Sequence, residues 1–327
     1  LDFECHKNDD DNVLINFGGI ESAGEVYVNG NFVGYSEDSF DYQEYDITDF
    51  VKDGVNRLAV TVYQFSTGSY LEDQDMWRMS GIFRDVFLVY RPKKFISDIF
   101  NYSEFTNKDG VMFFRAEISM RAERADFSGG RLVVMLRDAD RQEVFKDIVV
   151  IPEIKNGESY KVDFLKEVRD VTLWEMENPY LYEVKAQLSL TSTGNVHMSL
   201  DNRQDLMAQT DYEDEITTRF GVRTITADAK NGLLLNGKSI KLKGGCIHHD
   251  NGILGAASFY DAEYRKVKLH KDNGYNALRL AHNPQSEQIL DICDELGMIV
   301  FDEAFDVWNL PKNSFDFSHQ FAEDGIK

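Results

Sequence analysis

Two stretches decide the fold: Tyr275-Asn276-Ala277-Leu278-Arg279-Leu280-Ala281-His282-Asn283, and Met298-Ile299-Val300-Phe301-Asp302-Glu303. Each begins as a short apolar run and ends in polar residues. Between them Ile289, Ile292, Cys293 and Leu296 fall at i, i+3, i+4 and i+7, the apolar stripe of a helix. Ser286 stands where an N-cap belongs and Gly297 where a left-handed residue would end the helix. A third such unit lies upstream. Its strand is read over 239–246 and runs into His248, His249 and Asp250. Its helix carries Tyr260, Tyr264 and Val267 and stops at Gly274. Strands alternating with helices predict a parallel sheet. Polar side chains converging at the carboxyl ends of successive parallel strands mark the active-site face of a (β/α) barrel. Only three of the eight strands of such a barrel can be read before Lys327.

Upstream, residues 1 to about 220 have an all-β texture. Val26-Tyr27-Val28 and Phe32-Val33 flank Asn29-Gly30, a pair that tolerates positive φ and signals a hairpin. Leu58, Val60 and Val62 alternate with polar or small residues, the period of a half-buried strand. Arg91-Pro92-Lys93-Lys94 reads as a boundary. Beyond it, strands are predicted over 112–119, 131–136, 144–151, 160–164 and 182–190, a spacing that suggests a sandwich of immunoglobulin-like size. The expected architecture is therefore multidomain and mainly β. Residues 1-91 form one β domain, 92-220 a β-sandwich, and 221-327 the opening strands of a barrel.

The net charge of −22, from 35 basic and 57 acidic residues, argues against a nucleic-acid partner, whose phosphates attract Lys and Arg. No apolar stretch approaches the roughly 20 residues needed to span a bilayer, so no membrane partner is expected. Cys5, Cys246 and Cys293 are widely spaced and odd in number, as expected of reduced thiols in a cytoplasmic protein. The chain opens inside an apparent strand without a Met, which leaves export open.

The string Ser69-Tyr70-Leu71-Glu72-Asp73-Gln74-Asp75-Met76-Trp77-Arg78-Met79-Ser80-Gly81-Ile82-Phe83-Arg84-Asp85-Val86 resembles the end of the sugar-binding domain of glycoside hydrolase family 2, most closely its bacterial lac-type β-galactosidases. Asn178-Pro179-Tyr180-Leu181-Tyr182, Arg219-Phe220-Gly221-Val222-Arg223, Asn276 to Pro284 and Asp294 to Glu303 extend the likeness over nearly the whole chain. The resemblance implies a partial jelly-roll sugar-binding domain, an immunoglobulin-like β-sandwich and the first strands of a (β/α)8 TIM barrel. The reaction it implies is retaining hydrolysis of terminal β-D-galactosides. That chemistry needs two carboxyl groups about 5 Å apart, one an acid/base and the other a nucleophile. In the family the acid/base Glu follows an Asn near the end of the fourth strand. The chain contains no Asn-Glu dipeptide, so neither catalytic glutamate is expected within it, and the 327 residues are expected to be inactive alone. Relatives that take glucuronides or mannosides, and a non-hydrolytic carbohydrate-binding module, remain the alternatives.

By the same resemblance His248, His282 and Asp75 are substrate-binding. Imidazole suits that role because it can donate to a sugar hydroxyl. Asp75 also stands as a ligand for a monovalent cation, Na+ or K+. Arg279 is implied to support the nucleophile. Asp302, Glu303 and Asp306 are expected to hold the barrel mouth or orient neighbours, and Trp308 either stacks on a sugar or packs. Arg84 is read as an ion-pair residue. The lac-type Mg2+ site uses Glu-x-His after the third strand, and Val307-Trp308-Asn309 stand there instead, so no magnesium is expected. Lac-type relatives are commonly oligomeric, which makes a homo-oligomer compatible with the reading. The second-strand signature departs at Leu280-Ala281 and Asn283, and His248-His249-Asp250-Asn251-Gly252 with Asp302-Glu303-Ala304-Phe305-Asp306-Val307-Trp308 resembles a different branch of the family, which leaves the exact sugar open. A barrel reduced to three strands has an open edge, so residues 221–327 are expected to fold poorly alone.

Overall fold

The computed structural model describes residues 1–72, 77–105, 111–190, 212–305, 307–312, 314 and 316–318. The chain divides into two compact units, one of residues 1–91 with 242–327 and the other of residues 92–241.

In the first unit, the described strands of residues 1–91 build a four-stranded antiparallel sheet, a three-stranded sheet and the small pair of Ile20–Glu21 with Gly81–Ile82. Asp2–Cys5, Gly54–Tyr63, Ala23–Val28 and Asn31–Ser36 pair in that order, and Asp11–Phe17 lies between Gln43–Asp46 and Val86–Pro92. Alternation sets the inner faces. Along Ala23–Val28, Val26 and Val28 are buried while Glu25 and Tyr27 face outward. Val13, Ile15, Phe17, Ile20, Val26, Val28 and Ile47 form the core between them. The hairpin at Asn29-Gly30 forms as expected, with φ of 52° and 83°, the left-handed pair that matches strand twist.

In the second unit, seven of the described strands form a sandwich. Lys94–Phe105, Met112–Ala122 and Ser159–Val168 form one sheet, and Glu143–Ile151, Gly130–Arg137, Tyr182–Leu190 and Asp214–Phe220 the other. The core includes Phe114, Ile118, Leu132, Leu136, Ala186 and Leu188. The outer strands Lys94–Phe105 and Asp214–Phe220 are absent from the sequence reading. In the first of them a register shift between Ile96 and Asp98 breaks the alternation that would have announced it.

The barrel segment supplies three parallel strands in the order Gly244–Ile247, Ala277–Leu280 and Ile299–Asp302, in register with Ile247 beside Leu280 and Leu280 beside Asp302. Helices Tyr260–Asp272 and Glu287–Leu296 follow the first two strands. Val267, Leu278, Leu280, Ile289, Ile292, Cys293 and Met298 are buried between the helices and the sheet. One strand boundary is corrected. Lys238–Ser239 does not belong to the first barrel strand but pairs antiparallel with Gly232–Leu235 across a turn at Asn236-Gly237, where φ is 51° and 74°. Those two residues reverse the chain, so the barrel strand starts only at Gly244. Gly297 ends the second helix in the left-handed conformation, at φ 70°, as expected. Ser286 occupies the N-cap position, but its hydroxyl meets Ser258 Oγ at 2.7 Å instead of capping.

Candidate functional site

The site lies at the carboxyl ends of the three parallel strands. Arg279 comes from the second strand and Glu303 follows the third. The Arg279 Nε donates to Glu303 Oε1 at 2.6 Å, and its Nη2 donates to Oε2 at 2.9 Å. This is the bidentate fork, which fixes direction as well as charge. A third nitrogen, Nη1, reaches Cys246 Sγ on the first strand at 3.3 Å. These partners push the guanidinium pKa up, the thiol contact first and the carboxylate second.

Glu303 also meets His282 Nδ1 at 3.2 Å through Oε2. A carboxylate only accepts, so the ring proton sits on Nδ1. In a ring with that tautomer Nε2 carries the lone pair. The ring of His248 lies 5.4 Å from that of His282, tilted by 59°. Its Nδ1 is buried with no partner among the described residues. A buried imidazole nitrogen with no bond is costly.

His249 faces the other way from His248, as alternation on an extended segment requires. It is buried, stacks on Phe40 at a centroid distance of 4.3 Å, and donates from Nε2 to the Asn283 carbonyl at 3.2 Å. Its Nδ1 accepts from Arg84 Nη2 at 3.4 Å. Burial first, and the Arg84 charge second, push its pKa down to about 3, so the ring is neutral across the physiological range. With both nitrogens engaged, it has no lone pair left for a metal.

Arg84 is not the ion-pair residue expected from sequence. Its guanidinium donates to backbone carbonyls of Gly18, Phe40 and Pro284. Asn283 is buried and donates from Nδ2 to the Glu72 carbonyl at 2.9 Å, which fastens the loop after the second strand to the helix Ser69–Glu72. Arg84, His249 and Asn283 thus join the barrel mouth to the β domain of residues 1–91. Of these, only Arg84 lies in a string singled out for its family likeness to the sugar-binding domain, and nothing in the spacing foretold its carbonyl ligands.

Asp302 accepts from the amides of Gln285 and Glu303, while crowding by the protein raises its pKa against them. It makes none of the Arg279 or His282 contacts that Glu303 makes. Trp308 packs on Phe305 at 4.2 Å and is half exposed. Asp75 and Asp306 lie outside the described residues, and no group of three or more potential metal ligands occurs among the residues described. No helix there is long and apolar enough to cross a membrane.

Comparison with known proteins adds a consistent set of matches. The family model described as glycosyl hydrolases family 2, sugar binding domain, matches residues 2–92; the one described as glycosyl hydrolases family 2 matches 94–204; and the TIM barrel domain of that family matches 227–321. A β-galactosidase of Priestia megaterium is 36% identical over 299 residues, covering 90% of this chain and 27% of that protein. The chain therefore spans only about a quarter of the length of such relatives. Among solved structures, a glycosyl hydrolase family 2 member from Bacteroides cellulosilyticus superposes with a TM-score of 0.80 at 31% identity, over 99% of this chain and 39% of the other. A β-glucuronidase of an uncultured Clostridium superposes with a TM-score of 0.74 at 26% identity, over 94% and 48%.

Proposed function

This chain belongs to family 2 of the glycosyl hydrolases, and on that premise we propose that it serves the retaining hydrolysis of terminal β-D-galactosides as the wall that holds the non-reducing sugar. The observation that carries this reading is the arrangement around Glu303. One carboxylate orients Arg279 and His282 together, and the His248 ring lies beside that of His282 with its Nδ1 without a hydrogen-bond partner among the described residues. Such a wall binds and orients, and its contacts gain strength as charge develops at the anomeric carbon. The two carboxyl groups of the reaction come from elsewhere in the enzyme, so the 327 residues alone bind without turning over. Asp75 joins as a ligand for Na+ or K+, an oxygen donor suited to a hard cation.

A glucuronide is the rival substrate, because a β-glucuronidase shares the fold at 26% identity. A uronate needs an available cation beside the sugar. Among the described residues of the site, Arg279 is committed to Glu303 and Arg84 to carbonyls and His249, so neither of these two cations is available to a uronate. The test is calorimetry of the 327-residue chain with galactose and with glucuronate, in sodium and in potassium buffer. Galactose binding that weakens in His282→Ala supports the reading; glucuronate binding in preference to galactose overturns it.

A further inference from the structure

Arg84 sits in the turn between Gly81–Ile82 and Val86–Pro92, far in sequence from the barrel loops. Its Nη1 donates to the Phe40 carbonyl at 2.5 Å and the Gly18 carbonyl at 3.2 Å. Its Nη2 donates to the Pro284 carbonyl at 3.2 Å and to His249 Nδ1 at 3.4 Å. The Phe83 ring lies 5.2 Å from the guanidinium carbon and the Phe40 ring 6.0 Å. The seat is close-fitting, since a Cβ on Gly18 would stand 3.0 Å from the Arg84 Cβ.

A buried cation met by carbonyl dipoles rather than a counter-ion is expensive compared with an apolar side chain of the same volume. What the guanidinium supplies is geometry, because its planar fork reaches several acceptors in fixed directions. Two of those acceptors matter for the site. His249 is the neighbour of His248 in the loop after the first strand, and Pro284 follows His282 by two residues in the loop after the second. His249 then closes the triangle by donating to the Asn283 carbonyl.

We propose that Arg84 is a positioning residue of the sugar site: by holding His249 and the Pro284 carbonyl at once, it locks the loop bearing His248 to the loop bearing His282 and sets the separation of the two imidazoles. The proposal rests on the reading of those histidines as sugar-holding groups. It assigns a role in the barrel site to a residue of the β domain that touches no substrate.

The test is imidazole NMR on the 327-residue chain labelled at histidine nitrogen, with resonances assigned from single His→Gln variants. In wild type, His248 and His282 give a ring-to-ring cross-peak. In Arg84→Ala that cross-peak disappears and galactose affinity falls about tenfold or more, while the methyl resonances of Leu280 and Ile292 stay in place. Sub-denaturing guanidinium ion restores the cross-peak to Arg84→Ala, and Arg84→Lys fails to keep it, because an ammonium is a point charge without the fork. An intact cross-peak in Arg84→Ala overturns the proposal. So does loss of the Leu280 and Ile292 methyl signals that guanidinium does not repair, which would mark a purely structural residue. If wild type binds no galactose, the sugar reading fails by itself, and the cross-peak still decides what Arg84 does.

Discussion

The most informative single residue is His249, because its protonation state is tied to the joint between the barrel mouth and the β domain. Its pKa is depressed from the ordinary imidazole value to about 3, chiefly by burial. The unfolded chain therefore takes up a proton near pH 6.5 that the folded chain refuses. Stability from this group is complete above about pH 6.5 and is lost progressively as pH falls towards 3, by up to about 5 kcal/mol. The thermal midpoint of the unit containing His249 is expected to drop across that window in wild type and more shallowly in His249→Phe, which keeps the stack on Phe40. Equal slopes would place the acid sensitivity in another group. Glu303 is the second test at this scale. Glu303→Gln keeps the shape but removes the charge that orients Arg279 and His282, and hydrogen bonds to charged groups contribute about 1.5–3 kcal/mol. Galactose affinity measured by calorimetry should weaken by about tenfold or more. A variant that binds as tightly as wild type would reduce Glu303 to an ordinary surface ion pair.

At the scale of the element, the barrel strands are short and their pairing depends on one of two adjacent glycines. A Cβ on Gly244 would stand 2.2 Å from the Ala277 carbonyl oxygen, whereas on Gly245 the nearest atom, of the Tyr275 ring, is 3.9 Å away. The first contact is with backbone and cannot be relieved by a rotamer change. Gly244→Ala is expected to part the first two strands and to raise amide exchange at 277–280, at a cost of about 2 kcal/mol or more. Gly245→Ala should leave those amides protected, and similar exchange in both variants would refute the register. The elements also show what the sequence could and could not reveal. Helix Glu287–Leu296 was legible because its apolar stripe and its terminal glycine are local signals. Strand Gly244–Ile247 was misread as longer, because a turn and a neighbouring antiparallel sheet looked like one extended run. At the site, His248, His282 and Glu303 were singled out at strand ends, and Arg279 by the family resemblance. The pairing of Glu303 with two partners, and the carbonyl seat of Arg84, depend on contacts between segments far apart in sequence, which no local pattern encodes.

At the scale of the molecule, the two units differ in how their apolar residues are covered. The sandwich in residues 92–241 buries a large core between its two sheets, with Phe114, Ile118, Leu132 and Leu136 at 0% exposure. The barrel segment has a smaller core on one face of a three-stranded sheet, and Phe301 is 67% exposed and Leu310 76% exposed. Exposed side chains of that size contribute no transfer free energy, at roughly 25 cal/mol for each Å² left in water, and an uncovered parallel sheet is an unusual arrangement for a stable domain. Local opening should therefore need less free energy in the barrel segment than in the sandwich. Limited proteolysis of the 327-residue chain, followed by mass spectrometry, is expected to cut within 242–318 before it cuts the strands of 112–188. Because the mouth histidines are tied through Arg84 and Asn283 to the β domain, Arg84→Ala should hasten the first set of cuts and leave the second unchanged. Equal resistance of both regions in wild type would mean that three strands, two helices and the joint to residues 1–91 suffice for a stable half-site.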